Sequence, residues 1–265
     1  MDEQRYLLDN QVAAAGERFA ALAELFDPST HRHLDQVGLT EGWRCWEVGA
    51  GGSALTTWLS ARVGAIGKVV ATDIDVAWAR EAQAPNVEVR RHDVAAEPPP
   101  GQGFDLVHAR LVLVHVPQRD VALRSMVAAL RPGGWLVVED ADPAMQPLSC
   151  PEARNDAERL ANKLRTGFRA LMAERGVDLG YGRTLPRLLR EAGLDGVRAD
   201  AYFPVAMPAC NQLETGTIAH IRELLVTNDI ATDAEIDEHL SNVAGGHLDL
   251  AQPPMITAWG RAPSQ

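Results

Sequence analysis

The stretch Trp46-Glu47-Val48-Gly49-Ala50-Gly51-Gly52-Ser53-Ala54 decides the reading of this chain. Arg44-Cys45-Trp46 runs as a strand into a glycine turn, and Leu55, Trp58 and Leu59 carry a helix away from it. Such a turn lets backbone approach a ligand closely at the carboxyl edge of a sheet. The alternation continues downstream. Lys68 to Asp73 reads as a second strand, Val76 to Ala82 as a helix, Val87 and Val89 as a third strand, and Phe104 to His108 as a fourth. A helix over Arg119 to Leu130 then leads through Pro132-Gly133-Gly134 into the apolar strand Trp135 to Val138. Strands and helices joined by short connections imply parallel strands with crossover helices on both faces, an α/β, Rossmann-like doubly wound architecture.

Before this pattern, apolar residues from Gln4 to Phe26 recur at helical spacing, and Asp27-Pro28 is expected to stop that helix. A short second helix follows Ser29 and closes at Gly38. Past residue 150 the spacing predicts helices near Glu152 to Arg175, Leu185 to Ala192, Gln212 to Val226 and Asp233 to Leu240, with strands at Val197 to Phe203 and Met255 to Gly260. Residues 1–38 are therefore a helical extension of the same domain, which occupies 39–265 and carries a helical insertion at about 143–186.

A length of 265 residues suits one large domain able to bury a sizeable core. The net charge of −11 makes the chain a poor partner for a phosphate backbone. Its strongest basic cluster, Arg90-Arg91-His92, ends in Asp93 and is too short to form a stripe. Cys45, Cys150 and Cys210 are far apart, which argues against a disulfide scaffold or a Cys-rich zinc site, and Cys45 reads as core. Met1-Asp2-Glu3-Gln4-Arg5 lacks the features of a signal peptide, and no run approaches the roughly 20 apolar residues of a membrane span. The expected location is cytoplasmic, with no nucleic-acid, membrane or metal partner and with a homodimer left open.

The glycine turn alone leaves the ligand ambiguous, since Gly49, Gly51 and Ala54 also satisfy a dinucleotide fingerprint with Asp73 placed as its ribose-binding acid. Glu47 tips the balance. A carboxylate two residues before Gly49 would repel pyrophosphate but suits a ligand with an ammonium and a cationic sulfur, namely S-adenosylmethionine. Opposite unit charges at about 4 Å attract by roughly 4 kcal/mol at an effective dielectric near 20.

Over Leu39 to Asp142 the chain resembles the class I S-adenosylmethionine-dependent methyltransferases, the small-molecule and ubiquinone/menaquinone-methyltransferase-like group in particular. The motifs occur in family order: Glu47 to Gly52; Val70-Ala71-Thr72-Asp73-Ile74-Asp75; His92-Asp93-Val94; Phe104 to His108 with Leu113-Val114-His115-Val116-Pro117; and Leu130-Arg131-Pro132-Gly133-Gly134. The resemblance implies a mostly parallel seven-stranded sheet. It also implies that Gly49 and Gly51 line the methionine part of the cofactor, with Glu47 near its amino group. Asp73 would accept both ribose hydroxyls, Ile74 would pack on the adenine face, and Asp93 with Val94 would meet the adenine amine. Asp75 could instead cap a helix, and Gly52-Ser53 departs from the commoner Gly-Thr-Gly ending.

Methyl transfer from a sulfonium is an in-line displacement, so the protein mainly positions the reactants, an effect of roughly 7–11 kcal/mol in favourable cases. A base is needed only when the acceptor must lose a proton. The Leu-x-His-x-Pro resemblance makes His115 the first candidate, and Asp140 could orient it or act as a second base. His108 could contact the cofactor or be a buried core histidine. Arg110 could bind an acidic substrate group or pair with Glu139; His220 could lie on a lid; and Tyr6 could reach the cofactor. Glu139-Asp140-Ala141-Asp142 reads as a solvated acidic turn rather than a cation site. Motifs of amino-methylating DNA enzymes, metal-dependent catechol enzymes and protein-arginine enzymes are missing. The expected activity is methyl transfer to a small organic acceptor, a natural product or quinone-like molecule, at oxygen in preference to nitrogen or carbon. Segment 143–186 would cover the acceptor, with Phe168, Leu171, Met172 and Tyr181 as lining residues. The competing readings are an NAD-linked oxidoreductase and a methyltransferase fold that binds the cofactor without methylating.

Overall fold

The computed structural model describes residues 14–264, which divide into two compact units. The sheet unit comprises Phe26–Ala141, Tyr181–Tyr202 and the stretch from Met255 onward; the helical unit comprises the described residues up to Leu25, Asp142–Gly180 and Phe203–Pro254. The predicted insertion 143–186 thus falls mostly in the helical unit, with Tyr181 onward in the sheet unit. No helix among the described residues is long and apolar enough to cross a membrane.

Seven strands form one sheet among the described residues: β1 (Arg44–Val48), β2 (Lys68–Asp73), β3 (Val87–Arg91), β4 (Phe104–Arg110), β5 (Leu130–Ala141), β6 (Asp195–Tyr202) and β7 (Met255–Arg261). Their order is β3-β2-β1-β4-β5-β7-β6. The first five are parallel, and β7 runs antiparallel between β5 and β6. The helices are α1 (Ala14–Gln36), α2 (Ala54–Val63), α3 (Arg119–Ala129), α4 (Asp156–Glu174), α5 (Leu185–Glu191), α6 (Pro208–Thr227) and α7 (Asp233–Ala244). Leu34 of α1 and Val37 just past its end join Leu55, Leu59 and Val63 of α2 over Cys45, Val69, Leu106, Val137 and Trp259 of the sheet. A row of β-branched, Leu and Trp residues in the strands therefore meets the apolar stripes of two helices, the ordinary driving force for an α/β layer. The helical unit has a separate core of Leu164, Leu171, Ile218, Ile221, Leu225 and Ile236. Two of its helices start at capping boxes, Asn155 with Glu158 and Thr232 with Glu235.

Several local expectations are corrected. Pro28 does not stop a helix; α1 runs through it as one element. Proline forfeits one backbone bond, but Thr30, His33 and Leu34 just beyond it are wholly enclosed, so tertiary contacts hold the helix in line. The helix expected over Val76 to Ala82 shrinks to one 3-10 turn, Ala79–Glu81; Pro85 lies just ahead and biases Ala84 away from helix. The acidic run after the fifth strand is no solvated turn: β5 extends through it, and Glu139, Asp140 and Asp142 are buried. Cys45 is core, as expected, and burial pushes its thiol far above the usual range.

Candidate active site

The candidates from Glu47 to Asp140 all belong to the sheet unit, whereas the lining candidates Phe168, Leu171 and Met172 and the lid candidate His220 belong to the helical unit. β1 lies between β2 and β4, where the strand order reverses, and in open α/β sheets ligands bind at the carboxyl ends of the strands at such a point. The loop leaving β1 owes its path to glycine. Gly49 and Gly51 are left-handed (φ 64° and 58°), and a Cβ on Gly49 would sit 2.3 Å from Val112 Cγ2. The Ala50 N–H bonds to the Thr72 carbonyl (3.0 Å), which ties the loop to β2. The next helix, α2, starts without a side-chain cap from Ser53 and without an acid in its first turn. Its N-terminal N–H groups are thus suited to an anionic ligand group.

Asp73 ends β2 beside this loop. Its Oδ2 accepts the Gly51 N–H (2.9 Å) and its Oδ1 the Asp75 N–H (3.0 Å). Burial raises its pKa against the pull of those donors. Ile74 leaves 48% of its surface exposed, unusual for an isoleucine beside a buried acid. Asp75 accepts from the Ala77 N–H (3.0 Å) in a local turn and not as the helix cap weighed for it above, since no α-helix starts there. Asp93 likewise accepts from the Ala95 N–H (3.0 Å), and Val94 is buried next to it.

Behind the loop lies a buried polar chain. Parallel register sets Glu47 of β1 opposite His108 of β4. Glu47 Oε2 is 2.7 Å from His108 Nδ1, and His108 Nε2 is 3.3 Å from Glu139 Oε2. Glu139 also accepts from Thr30 of α1 and, at 2.7 Å, from Thr257 of β7. Arg110 donates to Thr30 Oγ1 (2.9 Å) and pairs with Asp27 (2.7 Å). His33 reaches Asp200 (2.8 Å) and lies 3.8 Å from Glu139. Burial alone would strip the proton from His108, but the two flanking carboxylates outweigh it and raise its pKa to about 9. Glu139 is likewise held well below the carboxylate range: burial opposes this, and the His108 bond wins. His108 is wholly enclosed, so it presents no surface of its own to a ligand. Arg110 serves this chain rather than facing open space.

The turn after β4 carries the other candidates. Leu111 takes a left-handed conformation (φ 56°), rare for a branched apolar residue. Its N–H bonds to the Glu139 carbonyl at 2.8 Å. The strain sets Val112 against Gly49 and starts the 3-10 turn Leu113–His115, from which His115 emerges exposed. Asp140 is fully enclosed, with no hydrogen-bond partner on either carboxylate oxygen. Burial raises its pKa well above the carboxylate range, although the backbone of Val114 and Leu113 and the charge of Arg119 pull it down. It underlies the turn that bears His115.

Of the more distant candidates, His220 is half-buried on α6, Leu171 belongs to the helical core with Phe168 against it, and Tyr181 lies under the Arg119 guanidinium (4.8 Å to the ring). Tyr6 falls outside the described residues. Thr30, Asp27, His33 and Thr257 were missed from sequence. Their one signal was a polar residue at a core-facing position of an otherwise apolar pattern.

The comparisons with known proteins agree with this geometry. Residues 4–199 match the family described as a methyltransferase domain. The methyltransferase str2 of Strobilurus tenacellus is 33% identical over 154 residues, covering 57% of this chain and 53% of that protein. The ubiquinone/menaquinone biosynthesis C-methyltransferase UbiE of Escherichia coli O1:K1 is 34% identical over 125 residues, 44% of this chain and 50% of its own. The chain thus spans about half the length of these curated relatives. Among solved structures, phosphoethanolamine N-methyltransferase 2 of Haemonchus contortus, in complex with S-adenosylhomocysteine, superimposes with a TM-score of 0.59 at 14% identity, over 99% of this chain and 61% of that one. That likeness concerns the fold. The residues here also fit S-adenosylmethionine on their own terms. A side chain would fill the Gly49 cradle, the helix start lacks a cap, and a carboxylate is followed by an exposed isoleucine. With motifs, strand order and family match in accord, the chain belongs to the class I S-adenosylmethionine-dependent methyltransferases.

Proposed function

We propose that this protein moves a methyl group from S-adenosylmethionine to a small organic acceptor, a natural product or quinone-like molecule, at oxygen in preference to nitrogen or carbon. The observation that supports this best is the strand-order reversal at β1 and β4, which gathers the left-handed glycine turn, the uncapped start of α2 and Asp73 at one edge. When bound, the cofactor supplies an electrophilic methyl group on cationic sulfur. Gly49 and Gly51 then line its methionine part and Glu47 faces its amino group. Asp73 holds the ribose hydroxyls, Ile74 covers the adenine, and Asp93 with Val94 meets the adenine amine. Glu47 also argues against an NAD-linked dehydrogenase, because a carboxylate there opposes pyrophosphate.

His115 is assigned the acceptor's proton. It is exposed on the turn after β4 at the same sheet edge, and imidazole is the side chain that most often serves as a general base. Asp140 supports the turn from beneath. The helical segment 143–186 is assigned to covering the acceptor. Supplying S-adenosylmethionine with a deuterated methyl group alongside a panel of phenols, enols and quinols tests the reading; mass and NMR spectra of any product show whether oxygen or carbon was methylated. Label on carbon alone would replace the oxygen preference with the chemistry in UbiE's name. Binding without turnover across the panel would favour a cofactor-binding protein that does not methylate. His115→Ala should lower turnover by roughly 10²–10⁴-fold with cofactor affinity nearly unchanged. Retained turnover, with chemistry rate-limiting, would leave positioning as the whole mechanism.

A further inference from the structure

We infer that His108 is a positioning residue: bracketed by Glu47 and Glu139, it keeps Glu47 in place and charged for a cationic ligand, while Glu139 ties that hold to Thr30 of α1 and Thr257 of β7. Only the identity of the ligand rests on the cofactor reading above.

The argument starts from charge. Glu47 and Glu139 are 3% and 1% exposed, and His108 between them is fully enclosed. Two buried carboxylates against a neutral ring are unstable, because the ring then donates from one nitrogen only and turns a lone pair toward the other acid. An unpaired buried acid neutralises itself by taking up a proton. Glu139 is protected from that outcome by Thr30 and Thr257 and by the Arg110 charge, which is itself anchored on Asp27; His33, on the same side, is engaged with Asp200. Among the described residues, His108 is the one donor to the Glu47 carboxylate. The acid that loses its charge when His108 cannot supply one is therefore Glu47, the residue at the ligand edge. A neutral Glu47 would no longer attract an ammonium group. Thr30 extends the dependence to α1, so a helix far away in sequence contributes to the charge at the glycine loop.

The test uses S-adenosylhomocysteine as probe, with calorimetry of the full chain and of His108→Gln between pH 6 and 8. The ratio of the two dissociation constants cancels titration of the probe's own α-amino group. The ratio should be about tenfold or more at pH 6, the equivalent of one charge-assisted hydrogen bond. It should shrink as pH rises and Glu47 loses its acquired proton, with proton release on binding seen in the variant and absent from the intact protein. A ratio within twofold throughout, or one that is large but independent of pH, would overturn the inference; the latter would make His108 merely structural. Should the variant fail to fold, nitrogen-15 spectra of the intact protein decide. At pH 8 both His108 ring nitrogens should carry protons, and Glu47→Gln should lower its titration midpoint. A singly protonated ring at pH 7.5 would sink the proposal. Lack of probe binding by the intact protein would instead defeat the cofactor reading, and the spectra would still report on the Glu47–His108 pair.

Discussion

Each unit buries a histidine against glutamate, and the two centres balance charge differently. In the sheet unit His108 stands between Glu47 and Glu139, and its own proton is the positive charge that bridges them. In the helical unit Glu214 is shared by Arg165 (3.0 Å) and His239 (3.1 Å), and His239 is fully buried. Burial would raise the Glu214 pKa, but Arg165 heads the opposing influences and the net direction is down. Arginine keeps its charge at every accessible pH, so this centre is neutralised permanently. The sheet centre carries a charge that can be lost. The difference separates a centre with a fixed positive charge from one whose positive charge can be lost.

The largest expected effect comes from making the helical centre resemble the other. Arg165→Met removes the fixed charge and leaves Glu214 to His239, at a cost of about 3–5 kcal/mol typical of a broken buried pair. Urea denaturation at one pH measures the loss; a change within about 1 kcal/mol would mean that Arg165 is not what balances the buried Glu214.

Next in size is Thr30→Val, which is nearly isosteric and removes one donor from Glu139. It should destabilise the sheet unit by about 1–3 kcal/mol, with hydrogen exchange faster in α1 beyond Pro28 than in α4. Uniform acceleration through both units would contradict separate centres.

The smallest effect is the pH dependence of the unaltered chain. His108 has a folded-state pKa raised to about 9 from 6.5. Its contribution to stability is therefore complete below about pH 6.5 and lost as pH climbs through 9. Exchange protection of β1, β4 and β5 should fall across that window while the α4–α6–α7 core holds. Equal loss in both units would erase the contrast drawn here.

The sheet was legible because its signals are local. Each strand of the parallel set is a short apolar run, and Gly49, Asp73 and Asp93 follow their strands at once. What escaped the reading is non-local. Glu47 meets His108 across 61 residues and Thr30 meets Glu139 across 109. A parallel register, not sequence spacing, brings the first pair together. Pro28 misled because its local cost is real and was overcome by burial of Thr30, His33 and Leu34. The acids Glu139, Asp140 and Asp142 looked solvated because charge is the usual mark of surface. Here one is paired with a charged histidine, and another, Asp140, is driven toward its neutral form by burial.

On the proposed reading, S-adenosylmethionine binds at the carboxyl ends of β1 and β4, with Asp73 at the end of the adjoining β2 on its ribose hydroxyls. Calorimetric titration of the intact protein and of Asp73→Ala tests it directly, with circular dichroism confirming that the variant is folded. Two hydrogen bonds to a charged acceptor contribute roughly 1–3 kcal/mol each, so the affinity should fall at least tenfold. Unchanged affinity in a folded Asp73→Ala protein, or an intact protein that binds NADH and not S-adenosylmethionine, would contradict the account.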